Sequence, residues 1–339
     1  MTQRLLVVLI VVVLVVAVAA AATSIFGRDP VVGVGSGADH RETVCVYPQD
    51  SIAYLQALDA TLGTTIDCVM VYDNANPDWQ AWEDPWFVST TYHDLQWARW
   101  LRAGEGRQMI LTLSMVPSSA PTDWRALGAA GAYDGYAGAL GRELVGDGLG
   151  RVIINLDPEA NYQSGIASIG SDPAQVEAWT RYWARLTTVM KKVPGAHFQF
   201  VWTVNAGYLP VPFASYYPGN AAVDIIGVDG YDALVDGKKM SPSGARWDAL
   251  SQQHDGIDAV AAFAREHHKP LAVPEWGDVG PPVTSGGGDD PVYVARMAAL
   301  FRGQRVAFES YFDRSVDGTL QLDQAPKSLA AYRTLVLHG

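Results

Sequence analysis

KPLAVPEWG, residues 269–277, is the stretch that decides the fold. A short apolar run, 271–273, leads directly into an acidic residue, a large aromatic and a glycine. A run of that kind reads as a strand buried on both faces, as in a parallel sheet, whose carboxyl end delivers Glu275 into a cleft. RVIINLDPEAN, residues 151–161, repeats the plan, with 152–156 running into Asp157 and Glu159.

Outward from these two stretches, short β-branched runs alternate with punctuated loops and longer segments of helical spacing. Strands are expected at 44–47, 68–72, 109–114, 152–156, 198–204, 223–228, 271–273 and 306–311. Helices are expected near 51–62, opened by Asp50 or Ser51 and closed by Gly63, and near 92–103, 133–145, 173–192, 257–267, 291–302 and 328–337. Asp172 before Pro173 is a helix start. Alternation of this kind implies parallel strands joined by right-handed crossovers. Eight units favour closure into a (β/α)8 barrel of the α/β class, and no Gly-rich nucleotide loop follows the first strand to argue for an open sheet. Barrel sites are built at the carboxyl ends of the strands. The residues brought there are Asp73, Ser114, Asp157, Glu159, Asn205, Asp229, Tyr231, Glu275 and Tyr311.

The barrel occupies 43–339, a normal length for a fold that typically uses ~250 residues. Ahead of it, 5–22 is an uninterrupted apolar run preceded by Arg4, within 1–26, the segment assigned as signal peptide or transmembrane anchor. Both readings place the barrel outside the cytoplasm, secreted or held at the membrane through this segment. Residues 27–42, rich in glycine, read as a linker. The net charge of −12 and the lack of a basic run disfavour nucleic acid as a partner. The two cysteines, Cys45 and Cys68, sit in consecutive strand-like runs and are expected to pair as a disulfide in an oxidising compartment. The seven histidines form no metal constellation, and no cofactor motif is present. The run 286–290 reads as a loop ending in a helix cap rather than a calcium site.

Two glutamates at strand ends, from the fourth and seventh strands, suit glycosidic bond cleavage. A retaining glycosidase holds its two carboxyl groups ~5–5.5 Å apart, one as nucleophile and one as acid and then base, whereas an inverting one separates them by ~6.5–9.5 Å. A general acid must keep its proton near neutral pH, which for Glu159 calls for apolar neighbours or the Glu275 charge nearby.

The segments Asp224-Ile-Ile-Gly-Val-Asp-Gly-Tyr-Asp232, Tyr217-Pro-Gly-Asn220, Phe200-Val-Trp-Thr-Val-Asn205 and Pro274-Glu-Trp-Gly277, in this order and spacing, resemble glycoside hydrolase family 26. That family contains β-mannanases and belongs to the clan A barrels, and the resemblance covers about residues 105–315. It implies that Glu275 is the nucleophile, Glu159 the acid/base and Tyr231 the donor that steadies the ionised nucleophile. The sequence departs from the family pattern on the fourth strand. Pro158 stands where a histidine precedes the acid/base, Asn155 where an arginine lies four residues before it, and Tyr162 follows Asn161 where the family has glycine. These changes alter the sugar-contacting shell more than the mechanism, and they leave Asp157 as a rival to Glu159.

Trp276, Trp202, Tyr72 and the cluster Trp79, Trp82 and Trp86 are candidate sugar platforms, since flat aromatic faces pack on pyranose C–H groups. Asn161, Asn205, Asp157 and Asp229 join Tyr231 as candidate substrate contacts. Core packing is the plainer reading of most tryptophans, and Trp97, Trp100, Trp179 and Trp183 fall at helical spacing. The reading that results is a retaining, endo-acting β-glycoside hydrolase of mannanase or glucanase type, monomeric, acting on a polysaccharide or oligosaccharide. A catalytically silent barrel that binds glycans at a surface is the alternative. A mechanism-based covalent label at Glu275 separates the two.

Overall fold

The computed structural model describes residues 43–338 except 74, 88–95, 163–167, 171, 208–210, 234–242, 282 and 317. The apolar segment 5–22 and the linker 27–42 lie outside the described residues. Among the described residues, no helix is long and apolar enough to cross a membrane.

The strands are β1 Thr43–Tyr47, β2 Cys68–Asp73, β3 Gln108–Leu113, β4 Ile153–Leu156, β5 Gln199–Asn205, β6 Ile225–Tyr231, β7 Leu271–Gly277 and β8 Phe308–Phe312. The helices between and after them are α1 Ile52–Leu62, α2 Trp79–Glu83, α3 Gln96–Ala103, α4 Trp124–Ala130, α5 Asp134–Gly146, α6 Pro173–Lys191, α7 Ser243–Gln252, α8 Ile257–Glu266, α9 Pro291–Gln304 and α10 Pro326–Tyr332. Each strand pairs in parallel with the next, and β1 closes on β8 with Thr43 opposite Phe308 and Tyr47 opposite Phe312. The expected (β/α)8 barrel is therefore the fold.

Local chemistry sets the element ends where the sequence placed them. Ser51 Oγ accepts the Tyr54 N–H at 3.2 Å, and Gly63 takes the left-handed conformation (φ 75°) that ends α1. Asp172 caps α6 ahead of Pro173, and Asp290 caps α9 by accepting from the Val292 N–H at 3.0 Å. The helices α2, α4 and α7 were not read from the sequence. They are short, or carry Ser, Gly and Arg in place of a clean apolar stripe.

Alternation along the strands divides the side chains into two layers. Val46, Val69, Val71, Leu111, Leu156 and Val228 point outward against the helices. Cys45, Tyr47, Cys68, Met70, Ile110, Val201 and Phe308 fill the lumen. The Cys45–Cys68 disulfide joins β1 to β2 within this lumen, as expected. Gly227 of β6 is obligatory there, because a Cβ would lie 2.4 Å from Thr203 Oγ1.

The alternation breaks at two places, and both shape the site. In β7 the register shifts against β6 between Ala272 and Trp276, and against β8 between Val273 and Trp276. One extra residue is thus accommodated around Pro274, where a bulge tolerates proline and re-aims the side chains that follow. Val273 and Trp276 both face the helices, and Glu275 between them faces the cavity. At the end of β4, Asp157 (φ 49°) and Glu159 (φ 55°) adopt the left-handed region that side chains with a Cβ seldom visit.

Candidate active site

Glu275 sits in the last turn of β7 pleat with both carboxylate oxygens engaged. Tyr72, from β2, donates its hydroxyl to Oε1 through a very short contact, and Tyr231, from β6, donates to Oε2 at 3.0 Å. The Glu275 backbone N–H donates to Asp229 Oδ1 at 2.8 Å. Three strands therefore fix one carboxylate. Glu159, carried past the end of β4, is tied to β5: its N–H donates to the Thr203 carbonyl at 3.1 Å, and its Oε1 accepts from Asn205 Nδ2 at 2.5 Å.

Glu159 and Glu275 line the same cavity of about 530 Å³, together with Asn205, Asp229, Tyr231, Phe312 and Tyr162. That volume is typical of a small-molecule site. The β7–α9 loop contributes Val279, Val283 and Ser285 to its wall. The charges of both glutamates are felt at Asp229 and at Tyr231.

Burial pushes the Glu275 pKa up, and the Tyr72 and Tyr231 hydroxyls pull it back by stabilising the anion. Asp229 rises far above the ordinary carboxylate range, first through burial and then through the Glu275 and Glu159 charges, with only the Glu275 N–H opposing. Its Oδ2 is buried without a hydrogen-bond partner. Asp229 is thus pushed further up than Glu275, whose anion the two phenol hydroxyls stabilise. Both phenols are held well above their usual pKa, by burial and then by the Glu275 charge, and so remain donors throughout the neutral range.

Several expectations from the sequence are corrected by this geometry. Trp276 is fully buried on the helix side of β7, its indole N–H donating to Glu309 Oε2 at 2.5 Å and its ring packed on Phe301 and Tyr311, because the bulge turns it away from the cavity. Trp202 is buried among Tyr216, Tyr217 and Phe263 on the outer face of β5. Neither is a sugar platform. Asp157 turns outward through its left-handed backbone and accepts the Trp179 indole N–H at 2.9 Å. Burial, opposed by that indole, raises it to about 7. It is a core carboxyl and not the rival acid. Asn161 is spent on the Asn205 backbone, accepting its N–H and donating to its carbonyl at 3.1 Å each, so it positions Asn205 rather than meeting substrate. Trp82 is buried with its N–H on the Ser114 carbonyl, Trp79 packs on Tyr133 and Tyr136, and Trp86 lines a cavity.

Tyr162 and Phe312 were not read as site residues. Tyr162, 55% exposed at the cavity rim beside Glu159, was noticed only as a departure from a motif. Phe312 shares the lumen-facing parity of Phe308 in β8, and that parity was the available signal.

The closed eight-stranded barrel thus carries two glutamates, one past the end of β4 and one in β7, on the wall of one cavity. Among solved structures the chain is similar to the Bacillus subtilis mannanase BCman, at 16% identity, with 88% of this chain and 87% of that chain covered and a TM-score of 0.54. It is similar to the catalytic domain of the family 26 endo-β-1,4-mannanase of Bacillus sp. JAMB-750, at 14% identity, with 88% and 86% covered and a TM-score of 0.58. It is also similar to GH26C from Muricauda sp., at 13% identity, with 86% and 85% covered and a TM-score of 0.59. The likeness at these identities is one of fold. No family model and no curated protein sequence matches the chain.

Proposed function

We propose that the chain is a divergent hydrolase of the family 26 type, a retaining, endo-acting β-glycosidase of mannanase or glucanase kind that cleaves an extracytoplasmic polysaccharide. The observation that carries this reading is the pairing of Glu275, clamped by two phenol hydroxyls, with Glu159 on the wall of the same cavity. Glu275 attacks the anomeric carbon while Glu159 gives its proton to the departing glycosidic oxygen. Water then attacks the glycosyl–enzyme ester, Glu159 takes its proton, and Glu275 is released as the anion. Tyr231 and Tyr72 orient the nucleophile and favour its ionised form; Asn205 orients the acid. The endo-β-1,4-mannanase activity of a neighbour of the same fold supports a β-linked hexose polymer as substrate.

The apolar run 5–22 behind Arg4 supports an extracytoplasmic location, with membrane attachment if that segment is retained. The disulfide agrees with an oxidising compartment. The test is a panel of β-linked polysaccharides and oligosaccharides, with product anomers followed by NMR from the first minutes. Initial release of the β-anomer is expected. Initial α-anomer overturns the retaining mechanism, and no hydrolysis of any β-linked polymer overturns the activity.

A further inference from the structure

Two buried carboxyls flank the β7 bulge, one from each neighbouring strand. On the β6 side, Asp229 takes the Glu275 N–H at 2.8 Å, so a side chain serves the amide where the ladder is interrupted. On the β8 side stands Glu309, which has no part in the proposed chemistry. It pairs in register with Val273 and is wholly buried. Its Oε2 accepts the Trp276 indole N–H at 2.5 Å, and its Oε1 accepts the Tyr332 hydroxyl of α10 at 3.1 Å. Burial, and then the Glu309 charge, hold the Tyr332 pKa well above its ordinary value, so that hydroxyl stays a donor.

A carboxyl in an apolar core destabilises a protein relative to a well-packed apolar residue of similar size, so its presence calls for a reason other than stability. Register supplies one. A strand slipped by one residue sends every side chain to the opposite face. Without the extra residue around Pro274, the pairing of Val273 with Glu309 would continue as Glu275 with Tyr311, a place that Trp276 holds instead. Glu275 would then share the helix-facing side with Glu309, two carboxyls buried together. Trp276 would lose its ring contacts with Phe301, Tyr311 and Tyr332, whose centroids lie 5.4, 5.1 and 5.9 Å from its own. Glu309 thus favours the bulged pairing twice, by holding the indole and by opposing the second carboxyl.

We propose that Glu309 is a positioning residue for Glu275: it clips Trp276 to the helix side of β7, fixes the bulged register, and so turns the adjacent carboxylate into the cavity. The same register sets Tyr231 opposite Gly277, where its hydroxyl reaches Glu275 Oε2. The consequence for catalysis rests on the reading of Glu275 as nucleophile, whereas the clip itself does not.

The test is hydrogen exchange on the full chain in mild detergent, read by mass spectrometry with residue-level fragmentation. Glu309→Leu removes both acceptor oxygens and suits the apolar surroundings. It is expected to speed exchange of the 275–277 amides by about tenfold, the worth of one hydrogen bond to a charged group, with the β3 amides 109–113 at the parent rate. Glu309→Gln keeps an oxygen for the indole and an amide for the Tyr332 hydroxyl, and should exchange like the parent. Trp276→Phe removes the donor, should match Glu309→Leu, and carries the test if Glu309→Leu fails to fold. Equal acceleration in β3, no acceleration at 275–277, or Glu309→Gln exchanging as fast as Glu309→Leu overturns the clip. The second arm is the rate at which a 2-deoxy-2-fluoro β-glycosyl fluoride labels Glu275. That rate is expected to fall about tenfold or more in Glu309→Leu and to recover in Glu309→Gln, since a misplacement of about 1 Å can cost about 10²-fold. Labelling of Glu309→Leu at the parent rate overturns the positioning role. No label on the parent, beside selective exchange in Glu309→Leu, sinks the hydrolase and leaves the clip.

Discussion

Tyr231→Phe removes one of the two phenol donors to Glu275 and keeps the ring, which packs edge-on against Phe312 with centroids 6.2 Å apart. A hydrogen bond to a charged group is worth about 1.5–3 kcal/mol. Since one pKa unit corresponds to about 1.4 kcal/mol, losing this donor raises the Glu275 pKa by about 1–2 units. The direction follows from the site. Burial already pushes Glu275 up, and the Tyr72 and Tyr231 hydroxyls are what oppose it. As the proposed nucleophile Glu275 works as the anion, so activity is lost as pH falls through its pKa, and a higher pKa moves the acidic limb of the profile upward. The assay is kcat/KM on a soluble aryl β-glycoside from pH 4 to 9, with parent and variant side by side. An upward displacement of the acidic limb by about 1–2 pH units is expected, with activity partly recovered on its alkaline side. Tyr293→Phe is the control, because that hydroxyl donates to the Gly230 carbonyl at 2.5 Å in the core and should leave the limb where it is. An acidic limb that stays put in Tyr231→Phe, or moves down, refutes the role assigned to the phenol pair.

Asp157→Asn should keep turnover within about tenfold of the parent, whereas Glu159→Gln should lose the 10²–10⁴-fold that a positioned general acid typically supplies, roughly, on substrates with poor leaving groups. Steady-state kinetics on a single oligosaccharide decides between them. Replacing Cys45 and Cys68 by alanine opens a loop of 23 residues separation and should lower unfolding free energy by about 3 kcal/mol, read by urea denaturation under oxidising conditions. Asp278 is fully buried, with Oδ1 unpartnered, and burial lifts its pKa from 3.8 to about 8. A group raised on folding gives its full stability below the unfolded pKa and loses it as pH rises through the folded one, so Tm should fall between about pH 4 and 8. Asp278→Asn should flatten that slope, and calorimetry showing the same slope in the variant rejects the assignment.

The barrel was legible because its signal is repeated. Each strand is a short apolar run, helices such as α1, α6 and α9 open on a capping Ser or Asp, and eight repeats leave little freedom for another sheet. The two glutamates on the cavity were legible for a related reason: Glu275 and Glu159 follow apolar runs where a barrel exposes its chemistry. What the sequence concealed is side-chain direction. Strict alternation from Ala272 would send Trp276 into the lumen and Glu275 outward, and the bulge at Pro274 reverses both. Strict alternation from Asn155 would send Asp157 inward, and its left-handed backbone turns it to Trp179 instead. A motif match carries residue identity and order, whereas these two irregularities are properties of backbone pairing and become visible only with the strands in register. The cavity that Trp86 lines, of about 560 Å³, was hidden for another reason. Asp50 follows β1, Asp73 ends β2, Trp86 follows α2 and Arg314 follows β8, and no local pattern in the chain links them.

The most direct measurement is covalent trapping. The full chain is incubated with a 2-deoxy-2-fluoro β-glycosyl fluoride of the sugar it cleaves, its intact mass is recorded, and the labelled peptide is sequenced by mass spectrometry. One fluoroglycosyl unit on the peptide spanning 271–277, at Glu275, is the expected result, with no label in Glu275→Gln. A chain that turns over its substrate yet takes no label, or takes it on any other carboxylate, contradicts the proposal that Glu275 attacks across the cavity from Glu159.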